Sequence, residues 1–124
     1  MFALSAVLTV LLLCEVVPSA IAALARFGPG VERLDGLTRL GLREGRNLWV
    51  VTAAGLLHTV AAALLVAGIT SPLLGVVGAG IEAVFFGWVL TRQFAAGDRG
   101  RPLVAYTLFW SWSLLVLAVC AARL

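Results

Sequence analysis

The sequence lacks lysine altogether and has little charge of either sign, with nine arginines and six acidic residues among 124, or 12% of the chain. A soluble domain is about one-quarter charged, so this chain has too few polar residues to cover a surface that faces water. Hydrophobic residues make up 62% of the chain, and the mean hydropathy is +1.08. These values exclude a soluble globular enzyme, and the high hydrophobicity also excludes a disordered chain.

Cysteine and histidine are also scarce, with two cysteines and one histidine. Cys14 and Cys120 both lie inside apolar runs without CxxC spacing, so they predict neither a disulfide framework nor a metal site. The motifs GxSxG and GxGxxG and the P-loop are absent. The net charge of +3 does not indicate nucleic-acid binding, because the arginines are not interleaved with aromatic residues. We expect no catalytic residues, no metal and no nucleic-acid partner.

Four apolar runs have about the 20 residues that a helix needs to cross a bilayer. They cover residues 2–25, 48–67, 73–91 and 103–122. Helices satisfy their backbone hydrogen bonds internally and then associate by packing against one another in lipid. The sequence therefore predicts an all-α integral membrane protein. Its single transmembrane domain, residues 1–124, is an antiparallel four-helix bundle.

Arginines mark the orientation of these spans. Eight of the nine lie in the first and third connections, residues 26–47 and 92–102. By the positive-inside rule, these two connections are cytoplasmic and both termini lie outside. The absence of lysine, with many Ala, Gly, Val and Leu residues, suggests a GC-rich bacterial genome. We therefore expect a multi-pass protein of the bacterial cytoplasmic membrane, with the lipid bilayer as its first partner.

The first connection contains a regular apolar pattern that begins after Gly28–Gly30. Its apolar residues recur every three positions, at Val31, Leu34, Leu37 and Leu40. This spacing predicts a short amphipathic helix on the inner membrane surface, between spans one and two. The alternative is a solvated, irregular loop, because Gly36 and Gly41 weaken helix formation.

Three ionisable side chains interrupt the apolar spans: Glu15, His58 and Glu82. Such a residue costs about 2.5–3.5 kcal/mol on insertion scales, so each one indicates a function. All three lie ten to twelve residues from the nearest cytoplasmic arginine, which is roughly 15–18 Å at about 1.5 Å per residue. They are therefore expected to share one layer near the bilayer midplane. At that depth span four supplies three polar side chains, Ser111, Trp112 and Ser113.

This polar layer has two alternative roles. A Glu beside a His in low dielectric favours a shared proton and coupled titration. Such a layer can exchange a proton, hydrogen-bond a quinone carbonyl or hold a cation. Alternatively, Glu15, His58 and Glu82 hydrogen-bond one another, or nearby hydroxyls, only to fix the bundle. A metal is disfavoured because no second histidine completes a ligand set.

Several short motifs between residues 37 and 117 follow a recognisable order. They are Arg39-Leu40-Gly41-Leu42, Gly55-Leu56-Leu57-His58, Ala67-Gly68-Ile69, Pro72-Leu73-Leu74-Gly75 and the segment from Arg92 to Asp98. This order resembles the DoxX-like family of four-helix bacterial membrane proteins, which is similar in part to the small membrane subunit of thiosulfate:quinone oxidoreductase. The resemblance implies a non-catalytic accessory of a membrane redox system. It also implies a quinone as the candidate cofactor, and a homo-oligomer or membrane redox proteins as candidate partners.

Two other functional classes stay open. A carboxylate in the middle of the first of four short spans, Glu15, is similar to the pattern of small multidrug-resistance transporters, which act as proton-coupled dimers. The first connection of roughly 22 residues is longer than theirs, and the aromatic and glycine pattern of their later spans is absent. The third class is a structural or assembly subunit of a membrane complex.

Overall fold

The computed structural model describes residues 2–124, which form five α-helices and no strand within that range. The helices are α1 (Phe2–Leu24), α2 (Gly28–Thr38), α3 (Leu48–Gly68), α4 (Pro72–Ala95) and α5 (Arg101–Ala122). By length and composition, all of them except α2 are able to cross a membrane. The predicted all-α bundle with a short helix between the first two spans is therefore confirmed.

Proline residues mark the starts of three of these helices. Pro29, Pro72 and Pro102 each lie in the first turn of a helix, where a missing N–H costs nothing and the fixed φ favours helical geometry. Helix α4 begins one residue before the predicted span and continues four residues past it, and α5 begins two residues before its predicted span. Their extensions place Arg92 and Arg101 on helical turns.

The four long helices form a ring in which each packs against two antiparallel neighbours. Helix α1 packs against α3 and α5, and α4 packs against the same two helices. The core between them is apolar and tightly buried, and its side chains include Leu12, Val16, Leu65, Phe86, Val89 and Val116. Large apolar side chains also cover the outer surface, among them Ile21, Val60, Val84 and Val104. An apolar outer surface of this kind suits contact with lipid.

Glycines set the register between α3 and α4. A Cβ on Gly68 would overlap the Cα of Gly75, and one on Gly78 would lie only 3.0 Å from the Leu65 nitrogen. The absence of side chains therefore lets the two backbones approach closely, as small residues do between membrane helices. This contact aligns the middle of α3 with the middle of α4.

Helix α2 folds back onto the bundle. Val31 and Leu34 pack against an apolar cluster that includes Leu42 and Val51, and Leu37 is buried. The predicted helix is thus present over Gly28–Thr38, and the loop alternative is wrong for those residues. The helix ends before Leu40 because Arg39 adopts the left-handed conformation. A 3-10 turn, Leu42–Glu44, leads towards α3.

Two arginine contacts tie α2 to the rest of this end of the bundle, which we call the arginine-rich end. Arg92 Nε donates to the Thr38 carbonyl at 2.9 Å. Arg39 forms a two-pronged ion pair with Asp98, at 2.7 and 3.2 Å. The hydrogen bonds to Asp98 raise the pKa of Arg39 above its ordinary value, so its guanidinium stays charged throughout the neutral range.

A single arginine joins three helices at the opposite end. The Arg123 guanidinium donates to the carbonyls of Gly68 and Ile69 at 3.2 and 2.9 Å, and to Ser5 Oγ at 3.0 Å. The carbonyls at a helix C-terminus have no partner within the helix, and a cation there satisfies them. Arg123 therefore connects the start of α1, the end of α3 and the end of α5.

Candidate functional site

A deeply buried polar contact joins the middle of α3 to the middle of α4. His58 Nδ1 lies 2.8 and 3.0 Å from the two carboxyl oxygens of Glu82. The exposed fractions of the two residues are 3% and 0%. The glycine contacts between the two helices fix the register that brings these side chains together. The span-two histidine and the span-three carboxylate, which were expected only to share one layer, are in direct contact in the structure.

The contact with Glu82 determines which ring nitrogen of His58 is free. A carboxylate accepts a hydrogen bond from Nδ1–H, and a protonated carboxyl group donates one to an unprotonated Nδ1, so the contact is made in either tautomer. Nε2 has no hydrogen-bond partner among residues 2–124. The pair therefore orients the imidazole and leaves Nε2 available to another group.

Glu15 lies half-buried on α1, one turn before Ser19. Ser19 Oγ donates to Glu15 Oε1 at 3.2 Å. Residues four apart lie on the same face of a helix, so this pair presents two polar groups in one direction. Glu15 is within electrostatic range of both His58 and Glu82. No hydrogen bond links it to them in the described part of the chain.

A cavity of about 240 Å³ brings Glu15 and His58 together. All five helices contribute to it, and the residues that line it are Glu15, Pro18, Ser19, Ala22, Ala23, Gly30, Val31, Arg33, Leu34, Val51, Ala54, His58, Phe85, Phe86 and Tyr106. The walls are mainly apolar, and a few polar groups converge on them. Glu82 lies behind His58 and does not line the cavity. We call this space the polar cavity.

Two residues of the polar cavity were not singled out from the sequence. Arg33, on α2, holds its guanidinium carbon 5.9 Å from the ring centroid of Tyr106 on α5. The contact is a cation–π interaction between an exposed charge and a buried ring. Tyr106 could have been identified from the sequence, because it is the only tyrosine and lies within a span. Arg33 could not, because its position depends on α2 folding back onto the bundle.

The three span-four residues assigned to the polar layer do not line the polar cavity. Ser111 is exposed on the outside of the bundle, and its assignment is corrected, because residues two apart on a helix point in nearly opposite directions. Ser113 is buried, but its hydroxyl donates to the Phe109 carbonyl of its own helix. Trp112 Nε1 donates to the Leu8 carbonyl at 3.1 Å and so joins α5 to α1.

The polar cavity thus offers an imidazole, a carboxyl group, a serine hydroxyl and a phenol, between aromatic and aliphatic walls. Such a mixture binds a small, mainly apolar molecule with one or two polar atoms. No group of three or more His, Cys, Asp or Glu side chains in the described chain is arranged to hold a metal ion. No family model, curated protein or solved structure matches this chain.

Proposed function

We propose that this protein is a DoxX-like, non-catalytic component of a membrane redox system that binds the head group of a quinone or quinol in the polar cavity. The observation that supports the proposal is the buried His58–Glu82 pair, whose histidine lines a small cavity with aromatic walls. Binding and proton exchange are the roles of this chain. Electron transfer belongs to a partner protein in the membrane.

The size of the polar cavity suits a single substituted ring. A dry cavity of about 150 Å³ is enough to bind benzene, whereas pockets for drug-sized ligands measure about 300–1,000 Å³. At about 240 Å³, the polar cavity lies between these values. A six-membered quinone ring with small substituents fits within that range.

The chemistry of His58 fits both redox forms of such a ligand. A quinol hydroxyl donates to the lone pair of neutral Nε2. After His58 takes up a proton, Nε2–H donates to a quinone carbonyl while Glu82 stabilises the imidazolium. A hydrogen bond to a charged group is worth about 1.5–3 kcal/mol. Glu15 and Tyr106 offer the second contact for the other oxygen of the ring.

We also propose that the arginine-rich end faces the cytoplasm of a bacterial cell and that both termini lie outside. Eight of the nine arginines lie at that end, which supports this orientation by the positive-inside rule. The polar cavity is lined by α2 and would then be close to the cytoplasmic face. Protons exchanged at His58 would reach the ligand from that side.

Proton-coupled transport is a second candidate, and Glu15 is the observation that favours it. The side chain is half-buried within the polar cavity and has only one hydrogen-bond partner, Ser19, among residues 2–124. A carboxyl group in that position is able to exchange a proton for a cationic substrate. A transporter of this class is expected to work as a dimer. The remaining candidate is an assembly subunit, in which the same polar groups only fix the bundle.

Quinone binding is tested with the purified protein in nanodiscs and a methyl-substituted 1,4-benzoquinone that has no tail. We expect the His58→Ala and Glu82→Gln variants to bind the ring about tenfold or more weakly. This ratio corresponds to the free energy of one hydrogen bond to a charged group. Thr59→Ala is the matched control, because its hydroxyl bonds only to Gly55 of its own helix. Failure of the unaltered protein to bind the ring contradicts the proposal.

Transport is separated from quinone binding by a second measurement. Vesicles that contain the protein are given a pH gradient and ethidium, a lipophilic aromatic cation. Transport requires that Glu15→Gln abolish uptake, so absence of uptake by the unaltered protein removes this candidate. An assembly role is favoured if the His58, Glu82 and Glu15 variants have no effect and a partner protein co-purifies with the chain.

A further inference from the structure

A second concave region lies on the outer surface, between α3 and α4, towards the arginine-rich end. It has a volume of about 290 Å³ and is lined by Trp49, Val50, Ala53, Ala54, Leu57, Phe85 and Trp88. None of these side chains is charged. We call this region the lateral groove. Trp49, which is 70% exposed, and Trp88 are of the residue type that prefers the membrane–water interface.

Two residues belong to both the lateral groove and the polar cavity. Ala54 and Phe85 line each of them. On one side, the Phe85 ring lies edge-on to the His58 imidazole, with the ring centroids 4.4 Å apart. On the other side, its centroid lies 6.0 Å from that of Trp88. One half-buried aromatic ring, opposite a small alanine, therefore separates the site of His58 from the outer surface of the bundle.

We infer that the lateral groove holds the apolar tail of the ligand and that the ligand reaches the polar cavity from the bilayer through the gap that Phe85 closes. This inference rests on the proposed function. A quinone of the membrane has a polar ring and a long hydrocarbon tail, so it needs a polar pocket that continues into an apolar surface. The lateral groove and the polar cavity share Ala54 and Phe85 in their walls, so only these two side chains lie between them.

The other rim of the polar cavity does not suit a hydrocarbon tail. It includes the exposed charge of Arg33 and the Gly30 backbone of α2. A tail that left the cavity there would run past a guanidinium group towards the more polar end of the bundle. Opening of the lateral route requires movement of the Phe85 side chain, because Ala54 on the facing helix presents only a methyl group.

The tail position is tested with a 1,4-benzoquinone that bears a ten-carbon tail with a diazirine, bound to the protein in phosphatidylcholine–phosphatidylglycerol nanodiscs. After illumination, cross-linked peptides are identified by mass spectrometry. We expect labelling at groove residues such as Leu57 and Trp88, and loss of that labelling with excess unlabelled probe. Ala53→Trp fills the lateral groove without touching the polar cavity and should reduce the labelling severalfold. Ala63→Trp, an exposed alanine of α3 outside the groove, is the matched control.

Binding of the tail-less ring is measured in parallel for the same variants. We expect Ala53→Trp and Ala63→Trp to bind that ring as the unaltered protein does. If the ring binds but the tail labels another face, the assignment of the tail to the lateral groove is wrong and the proposed function stands. The same conclusion follows if the Ala53→Trp variant is labelled as strongly as the Ala63→Trp variant. If the unaltered protein does not bind the ring, both fail.

The role of Phe85 is tested by kinetics. Phe85→Ala should increase the association rate of the tailed probe, measured by stopped-flow quenching of tryptophan fluorescence. The Ala63→Trp variant again serves as the control for changes at the lipid surface. An unchanged association rate in Phe85→Ala would overturn the assignment of this ring as the side chain that closes the route.

Discussion

Among the glycines, Gly68 has the least room for a side chain. A Cβ there would overlap the backbone of Gly75, which belongs to the next helix and cannot move aside as a flexible side chain would. Gly80, on α4, differs, because a Cβ there would have only Leu117 Cδ1 nearby, at an ordinary distance of 3.7 Å. Since the Gly68 contact sets the register of α3 against α4, it also positions His58 against Glu82.

We predict that Gly68→Ala destabilises the protein by about 1–3 kcal/mol, the usual cost of overpacking. Gly80→Ala is the matched control and should be neutral or stabilising by up to about 1 kcal/mol, because alanine favours helix more than glycine does. Thermal unfolding in mild detergent, followed by circular dichroism, measures both. Equal melting temperatures for the two variants would contradict the prediction.

Helix α2 is the element whose position depends most on specific polar contacts. Its C-terminal carbonyl accepts a hydrogen bond from Arg92, and Arg39 beyond its end pairs with Asp98. The Asp35 carboxylate accepts hydrogen bonds from the amides of Gly41 and Leu42 and so folds the chain after the helix. These contacts hold α2 where its residues can line the polar cavity.

We predict that Arg92→Ala increases hydrogen exchange in residues 31–38, because a hydrogen bond from a charged group contributes about 1.5–3 kcal/mol. Asp98→Ala should have a smaller effect, since exposed ion pairs contribute little. Glu44→Ala is the control, because it removes an ion pair with Arg46 inside the same connection. Exchange is measured by mass spectrometry in nanodiscs. Unchanged exchange in Arg92→Ala would show that apolar packing alone holds α2.

The elements themselves were largely predictable because their signals are local. The long apolar runs, and prolines such as Pro72 at a helix start, fix the helices within a few residues. The predicted end of α2 was less accurate, because Leu40 continues the apolar spacing while the chain turns at Arg39. Beyond this turn, Arg39 pairs with Asp98 of a different connection, a contact that no local pattern contains.

The candidate site was predictable in depth but not in direction. Counting residues along each span placed Glu15, His58 and Glu82 at one depth. In the structure His58 contacts Glu82, and Glu15 lines the same cavity as His58. The same count also selected Ser111, which faces outwards, because depth does not determine the helical face. Arg33 was missed because its place in the site arises from the tertiary packing of α2.

Considered as a whole, the molecule separates its charges from its apolar surface. Twelve of its fifteen arginine, aspartate and glutamate residues lie in the two connections of the arginine-rich end or at the adjoining helix ends. At the opposite end, the Arg123 side chain joins the ends of three helices by hydrogen bonds. Only Glu15 and Glu82 remain within the spans, and both lie next to His58 or its cavity. Charge therefore occurs either at the ends or at the candidate site.

This separation predicts one orientation in the membrane. Moving the arginine-rich end across a bilayer would transfer eight arginines, each of which costs about 2.5–3.5 kcal/mol at the centre of a membrane helix. The opposite end has only one. Alkaline phosphatase, which is active only outside the cytoplasm, should therefore be active when fused after Thr70 or Leu124. It should be inactive after Gly45 or Gly97.

Fusions of a cytoplasmic fluorescent reporter at the same four positions provide the complementary control, since the two reporters should give opposite patterns. Phosphatase activity after Gly45 with none after Leu124 would reverse the orientation. Equal activity at both ends would show that the chain inserts in both directions. Because α2 lies at the arginine-rich end, a reversed orientation would also move the polar rim of the cavity to the outer face, so the source of protons for His58 depends on this measurement.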